Sequence, residues 1–294
     1  MSTSIASTAR PLMRADDAGR SRCGVIGSPI SHSLSPVLHR AAYAELGLDW
    51  TYDAYEVLAG DLDGFMAGLS ADWVGLSVTM PLKVAALRHS VAVDEAGTAV
   101  GAVNTLVRRS GDGWSAANTD TTGFELALAG AGVTGVRRAA VLGAGATAAS
   151  AIYAFARLGA ESVTVLARSE ERAARLDPVA ERVGVVLRML RMDTEEWPQV
   201  DVLVSTIPAT AQAGVADQAA AAASTVFDVT YDPAQTPLLR RAQALDRRTV
   251  SGFELLLHQA ARQVELMTGC DTVPLGAMRS AGEAALRRLS PRAT

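Results

Sequence analysis

The sequence predicts an α/β fold in two parts: an N-terminal α/β domain, then a doubly wound domain on a parallel sheet, with two C-terminal helices returning to the first. Three observations predict it. Short β-rich runs alternate with helical segments from Arg22 onward, the pattern of parallel strands joined by crossovers. A glycine-rich turn at Gly143 to Ala148 sits between an apolar run and a helical one. Finally, no strand-like run accompanies the last two helical segments, so they must cover a core that is already built.

Taken in order, the first strands are residues 23–28, 51–57 and 73–79, and the first helix is 35–47, with proline just inside its start and glycine at its end. Residues 104–109 and 114–118 flank Ser-Gly-Asp-Gly and read as a hairpin. The second part opens with a helix at 123–132 and continues as strand 138–145, helix 147–159, strand 162–168 and helix 170–176. Further strands follow at 183–190, 201–208, 224–231 and 248–252, and the alanine run 219–223 reads as helix. Helices 253–269 and 274–289 close the chain. Domain limits at 21–119 plus 253–294 and at 120–252 follow from this order.

Composition narrows the function classes. The 294 residues, 49% of them hydrophobic, are enough to bury a full core in two domains. With 27 basic and 31 acidic residues the net charge is −4 and no basic stripe stands out, so nucleic acid is not expected as a partner. No run approaches the ~20 apolar residues of a membrane span. Cys23 and Cys270 lie far apart and the four histidines are scattered, which predicts reduced thiols, a cytoplasmic setting and no metal. His32 and His39 are read as structural. Residues 1–20 resemble a transit peptide in their Ser, Thr, Ala and Arg content, but Asp16, Asp17 and the lack of an apolar face make them a disordered tail.

Gly143, Gly145 and Ala148 have G-x-G-x-x-A spacing between a strand and a helix. The first glycine permits the tight turn, the second admits a pyrophosphate, and the alanine lets helix and strand pack closely, as in a Rossmann dinucleotide site. At the end of the next strand Ala167 takes the place of a ribose-binding carboxylate. Arg168 offers a guanidinium for a 2′-phosphate, Ser169 adds a hydroxyl, and Arg172 stands one turn further on. The expected cofactor is therefore NADP(H) rather than NAD.

One lysine, Lys83, stands in a chain that otherwise uses arginine at every basic position. It follows the run Ser-Val-Thr-Met-Pro-Leu, on the first turn of an expected helix, and is a candidate proton donor or acceptor. Asp120, in Asn-Thr-Asp at the junction of the two parts, can pair with it or can cap the following helix. Ser33 and Ser35, in a loop after the first strand, offer two hydroxyls to a carboxylate or polyol, with helix capping the alternative for Ser35.

Six stretches in sequence, GSPISHSLSP, SVTMPLK, GAVNTLV, NTD, GAGATA and YDPAQTPLL with SGFELLLHQA, resemble the shikimate dehydrogenase family, and the likeness runs from about Arg22 to the last helix. The resemblance implies NADP-dependent, reversible reduction of 3-dehydroshikimate to shikimate, with Lys83 and Asp120 catalytic. It implies that Ser33 and Ser35 bind the substrate carboxylate, beside Ser77 and Thr79, and that Asn104, Tyr231 and Gln259 complete the pocket. In the cofactor site it implies Ala144 and Ala146 with the glycine turn, Thr206, and Gly252 with Leu255 near the nicotinamide. Three positions depart from the family pattern: Ser77 where many members have Asn, Ala167 in place of a frequent Asn, and Leu255 in place of Met. A small-molecule partner and a monomer or homodimer are expected. The same residues leave open a paralogue acting on quinate or an aminoshikimate, and a non-catalytic NADP-binding sensor.

Overall fold

The computed structural model describes residues 20–109 and 113–289. The tail expected at 1–20 and the hairpin tip at 110–113 fall, but for their last residues, outside the described residues. The described residues build two six-stranded sheets. No helix among them is long and apolar enough to cross a membrane.

The first part runs β1 (Arg22–Gly27), α1 (Ser35–Glu45), β2 (Thr51–Glu56), α2 (Leu62–Ala67), β3 (Trp73–Val78), β4 (Ser90–Val93), α3 (Glu95–Val100), β5 (Thr105–Arg108) and β6 (Trp114–Ala117). Its strand order is β2-β1-β3-β5-β6-β4. β1 pairs in parallel with β2 and β3, whereas β5 is antiparallel to β3 and β6, so the hairpin is there. Five consecutive residues of β1 are buried, because Leu38, Ala42 and Tyr43 of α1 share a core with Cys23 and Val25, and Leu62 of α2 with Leu82 and Ala86 shares another with Ile26.

The second part runs α4 (Thr119–Gly130), β7 (Arg138–Leu142), α5 (Ala146–Arg157), β8 (Ser162–Ala167), α6 (Glu170–Ala174), α7 (Asp177–Val183), β9 (Val186–Arg191), β10 (Val200–Ser205), α8 (Ala216–Ala222), β11 (Ala223–Asp228), α9 (Pro237–Ala244) and β12 (Arg248–Val250). All its strands are parallel, in the order β12-β11-β10-β7-β8-β9. The chain moves outward from β7 through β9 and returns to β10 on the other side of β7. That reversal opens a crevice at the carboxyl ends of β7 and β10, where doubly wound sheets bind their ligands.

α10 (Gly252–Thr268) and α11 (Leu275–Leu289) complete the first core: Phe253, Leu257, Val264, Met267 and Met278 are buried with Cys23, Leu38, Tyr43 and Tyr52. α10 also lies along α4. At their crossing, a Cβ on Gly123 would stand 2.9 Å from Leu255 Cδ1 and 3.1 Å from Gln259 Cβ. The missing side chain lets the two helices approach.

Several expectations change. α7 occupies residues 177–183, to which no helix was assigned, and the strand expected from 183 begins at Val186. β4 and α3 occupy residues 90–100, to which no element was assigned; the strand is an edge and the helix only six residues long. Lys83 is not on the first turn of an α-helix but in a turn before a five-residue 3₁₀ segment, Ala85–His89. A long-range bond decides this: the Lys83 carbonyl accepts from Val103 N–H at 2.9 Å, while Leu87 N–H turns to Val84 at 3.3 Å.

Candidate active site

Four separate segments deliver one polar cluster. Lys83 follows β3 and is tied by its own carbonyl to the strand entering β5. Asn104, just before β5, receives Val78 N–H on its carbonyl at 2.7 Å and gives its N–H to Ala117 at 3.1 Å, so it bridges the ends of β3 and β6. Asp120 lies in the first turn of α4, and Gln259 on α10 reaches the cluster because Gly123 admits that helix.

Lys83 Nζ donates to Asp120 Oδ2, and Asn104 Nδ2 donates to Asp120 Oδ1 at 2.8 Å, so both carboxylate oxygens are engaged. Asn104 Nδ2 also faces Gln259 Oε1 at 3.3 Å, while Gln259 Nε2 donates to the Leu256 carbonyl at 2.9 Å. The lysine and aspartate side chains are only 12% and 7% exposed. A lone charge there would cost several kcal/mol, so the two side chains hold each other in place as a pair. The N-terminus of α4 adds a dipole favourable to the carboxylate. Asp120 does not act as an N-cap; that position is Asn118, and it makes no side-chain cap bond.

The loop after β1 forms a neighbouring wall. Ser33 Oγ accepts from Ser35 N–H at 3.3 Å, and Ser35 is buried at the start of α1, whose N-cap position is Leu34. Thr79, half-buried beyond β3, packs so close to Gly27 that a Cβ there would meet its Cγ2 at 2.4 Å. The β1 and β3 loops therefore share one edge of the sheet. Tyr231, from the loop after β11, donates its hydroxyl to the His32 carbonyl at 3.4 Å, and burial holds the phenol above its usual range. Ser77 is buried, with its hydroxyl turned toward Tyr52 and Gln263. His39 is fully buried and stacked on Tyr52 at 3.9 Å, whereas His32 is exposed.

The glycine turn lies in the crevice between β7 and β10. Gly143 has φ +106°, and a Cβ on it would strike Thr206 Oγ1 at 2.4 Å; that hydroxyl and the Thr206 N–H both donate to Leu142 O at 2.8 Å. Gly145 is the N-cap of α5, with no side-chain cap and nothing within 4 Å of an added Cβ. Ala144 and Ala146 are partly buried beside it, and Ala148 is wholly buried. Uncapped helix N–H groups beside open space are what a pyrophosphate requires. Ala167 ends β8 and is buried, and beyond it Arg168 and Arg172 are exposed; among the described residues no carboxylate bridges to either arginine. Glu171 pairs with Arg175 instead. Ser169 Oγ accepts from Arg172 N–H and so caps α6, leaving its own proton free to donate. Gly252 and Leu255 share the first turn of α10, where a Cβ on Gly252 would lie 2.2 Å from Val229 O and where Leu255 is 7% exposed. The residues of this crevice fit a phosphorylated dinucleotide.

Sequence reasoning missed Asn118 and Ser150. Asn118 Nδ2 donates to Ala102 O at 2.8 Å and to Ser150 Oγ at 3.0 Å, which fastens the segment carrying Asp120 to the helix that follows the glycine turn. Adjacency to Asp120 was the one available signal.

Known proteins match this arrangement along most of the chain. Residues 25–106 match the family model described as shikimate dehydrogenase substrate binding domain, 125–229 that of shikimate / quinate 5-dehydrogenase, and 252–281 that of shikimate 5'-dehydrogenase C-terminal domain. Shikimate dehydrogenase (NADP(+)) of Geobacter metallireducens is 36% identical over 287 residues, covering 93% of this chain and 100% of its own. The crystal structure of Mycobacterium tuberculosis shikimate dehydrogenase is 44% identical, with a TM-score of 0.82 over 90% of this chain and 99% of that one. The Thermus thermophilus shikimate 5-dehydrogenase, solved in complex with NADP(H) and shikimate, is 31% identical with a TM-score of 0.77, over 90% of this chain and 99% of its own.

Proposed function

Because the chain belongs to the shikimate dehydrogenase family, we propose that Lys83 and Asp120 are the catalytic pair of its reaction. That reaction is the NADP-dependent, reversible reduction of 3-dehydroshikimate to shikimate, a step in aromatic amino-acid biosynthesis. The observation that carries the assignment is the pairing of the chain's single lysine with Asp120 in a largely buried site.

When bound, the nicotinamide of NADPH supplies a hydride to the carbonyl carbon. The carbonyl oxygen then gathers negative charge and needs one proton. The Lys83 ammonium lies in a site of low dielectric, where it stabilises that charge strongly and gives the proton from Nζ; in the reverse direction Nζ accepts it from the hydroxyl. Asp120 keeps Nζ aimed and accepts a ring hydroxyl; Asn104 fixes the carboxylate, and Gln259, facing the Asn104 amide, completes the pocket with it. Ser33 and Ser35 hold the substrate carboxylate, and Ser77, Thr79 and Tyr231 line the rest of the pocket. Residues 143–148, Thr206, Gly252 and Leu255 seat the dinucleotide, with Arg168, Ser169 and Arg172 on its 2′-phosphate. In this reading segments 21–119 and 253–294 hold the substrate and 120–252 the cofactor.

The unpaired thiols of Cys23 and Cys270 support a reducing, cytoplasmic setting, where the enzyme works as a monomer or homodimer. Following NADPH absorbance with 3-dehydroshikimate tests the assignment. Lys83→Ala should lower kcat by about 10²–10⁴-fold with the KM for NADPH little changed. Wild-type turnover in that variant would end the case for Lys83.

A further inference from the structure

Behind the catalytic cluster runs a buried hydrogen-bond chain whose direction can be worked out atom by atom. Thr119 N–H can only donate, so the Asn104 atom it meets at 2.8 Å is the side-chain oxygen. Asn104 Nδ2 must then face Asp120. The Asn104 backbone carbonyl can only accept, so the Gln263 atom 3.1 Å from it is Nε2, which also donates to Thr105 Oγ1 at 3.1 Å. Thr105 passes its own proton to Asn104 Oδ1 at 2.9 Å. Gln263 Oε1 is left facing Ser77 at 2.7 Å, so the Ser77 hydroxyl gives up its one proton there and receives one from Tyr52, 2.5 Å away.

These partners fix the orientation of each amide and hydroxyl in the path; Asn104 Nδ2, with two protons, also meets Thr119 Oγ1 at 2.9 Å. Tyr52, Ser77, Thr105, Asn104 and Gln263 are all buried, so water offers no substitute partner. The two ends are anchored by atoms that cannot switch role, the Thr119 N–H and the Asn104 carbonyl. Ser77, its proton committed inward, has only a lone pair left to offer a ligand.

We propose that Gln263 and Tyr52 are positioning residues: they hold Asn104 from behind so that its Nδ2 stays on Asp120, and thereby keep the carboxylate that aims Lys83 in register. Neither touches the catalytic pair. This inference rests on the reading of Lys83, Asp120 and Asn104 as the active site.

A double-mutant cycle tests it. Gln263→Met and Thr105→Val each break the path at a different link while keeping roughly the same volume. Each should lower kcat roughly tenfold, as small displacements at a reacting centre do, with the KM for NADPH unchanged. Because both act through Asn104, the double variant should lose no more than the worse single variant. Losses that multiply would show two independent packing defects and overturn the proposal, as would unchanged kcat in both singles. If Gln263→Met does not fold, Tyr52→Phe with Thr105→Val gives the same comparison. Lys83→Ala is measured alongside. Multiplying losses with Lys83→Ala inactive sink the positioning role alone, whereas an active Lys83→Ala removes the premise and the proposal with it.

Discussion

Replacing Gly252 with alanine adds one methyl group where the backbone leaves no room. The new Cβ would stand 2.2 Å from Val229 O, 2.4 Å from Val229 C and 2.7 Å from Thr230 C. All three are main-chain atoms, so no rotamer change relieves the clash. The first contact falls 1.2 Å short of the 3.4 Å at which ordinary packing begins. The start of α10 must therefore move away from the end of β11 by about that distance. α10 carries Gln259 into the site and Gln263 behind it, so the displacement reaches the cluster of Lys83, Asp120 and Asn104. Overpacking of this kind costs about 1–3 kcal/mol, and a shift of ~1 Å at a catalytic centre lowers turnover about 10²-fold. Urea unfolding gives the first quantity and the initial rate of NADPH oxidation the second. A Gly252→Ala protein with stability within ~0.5 kcal/mol of the parent and undiminished turnover would refute the argument from close approach.

Other perturbations have equally definite outcomes. Arg168→Ala should raise the KM for NADP about tenfold, the equivalent of ~1.4 kcal/mol for an exposed charge-assisted contact, and leave activity with NAD unchanged; equal effects on both cofactors would reject the 2′-phosphate role. Asn118→Ala leaves the Ala102 carbonyl and the Ser150 hydroxyl without their buried donor, and urea titration should show a loss of about 2 kcal/mol. Burial lowers His39 from its ordinary 6.5 to about 4. Between those pH values the unfolded chain binds a proton that the native one refuses, so stability present above about 6.5 falls as pH drops toward about 4, by about 3 kcal/mol in all. Unfolding free energies measured across that window should lose much of their slope in His39→Phe, which keeps a ring against Tyr52; an unaltered slope would place the titration elsewhere.

How much of this was legible depends on the range of the interactions. The strands of the second part read clearly, because Val163, Val165 and Leu166, and Val202 to Val204, are β-rich apolar positions buried on both faces. The glycine turn read equally well, since its geometry is local. Residues 90–93 did not: an edge strand with one exposed and three half-buried positions has no period to detect. The turn at Lys83 was misread as helix because the deciding bond comes from Val103, twenty positions away. In the site, Lys83 and Asp120 stood out by residue type and resemblance. Tyr52 and Gln263 did not, because their positions gain meaning only when β2, β3 and α10 converge. Gly252 did stand out by resemblance, but its close approach to Val229, just beyond β11, could not be read from the sequence.

The lone lysine has a practical consequence. Feeding cells lysine enriched with ¹⁵N at the side-chain nitrogen would yield an enzyme with one labelled amine in the whole chain, located beside Asp120. A magnetic resonance spectrum of such a sample would report on that centre alone, free of overlap from any second ammonium group on the surface.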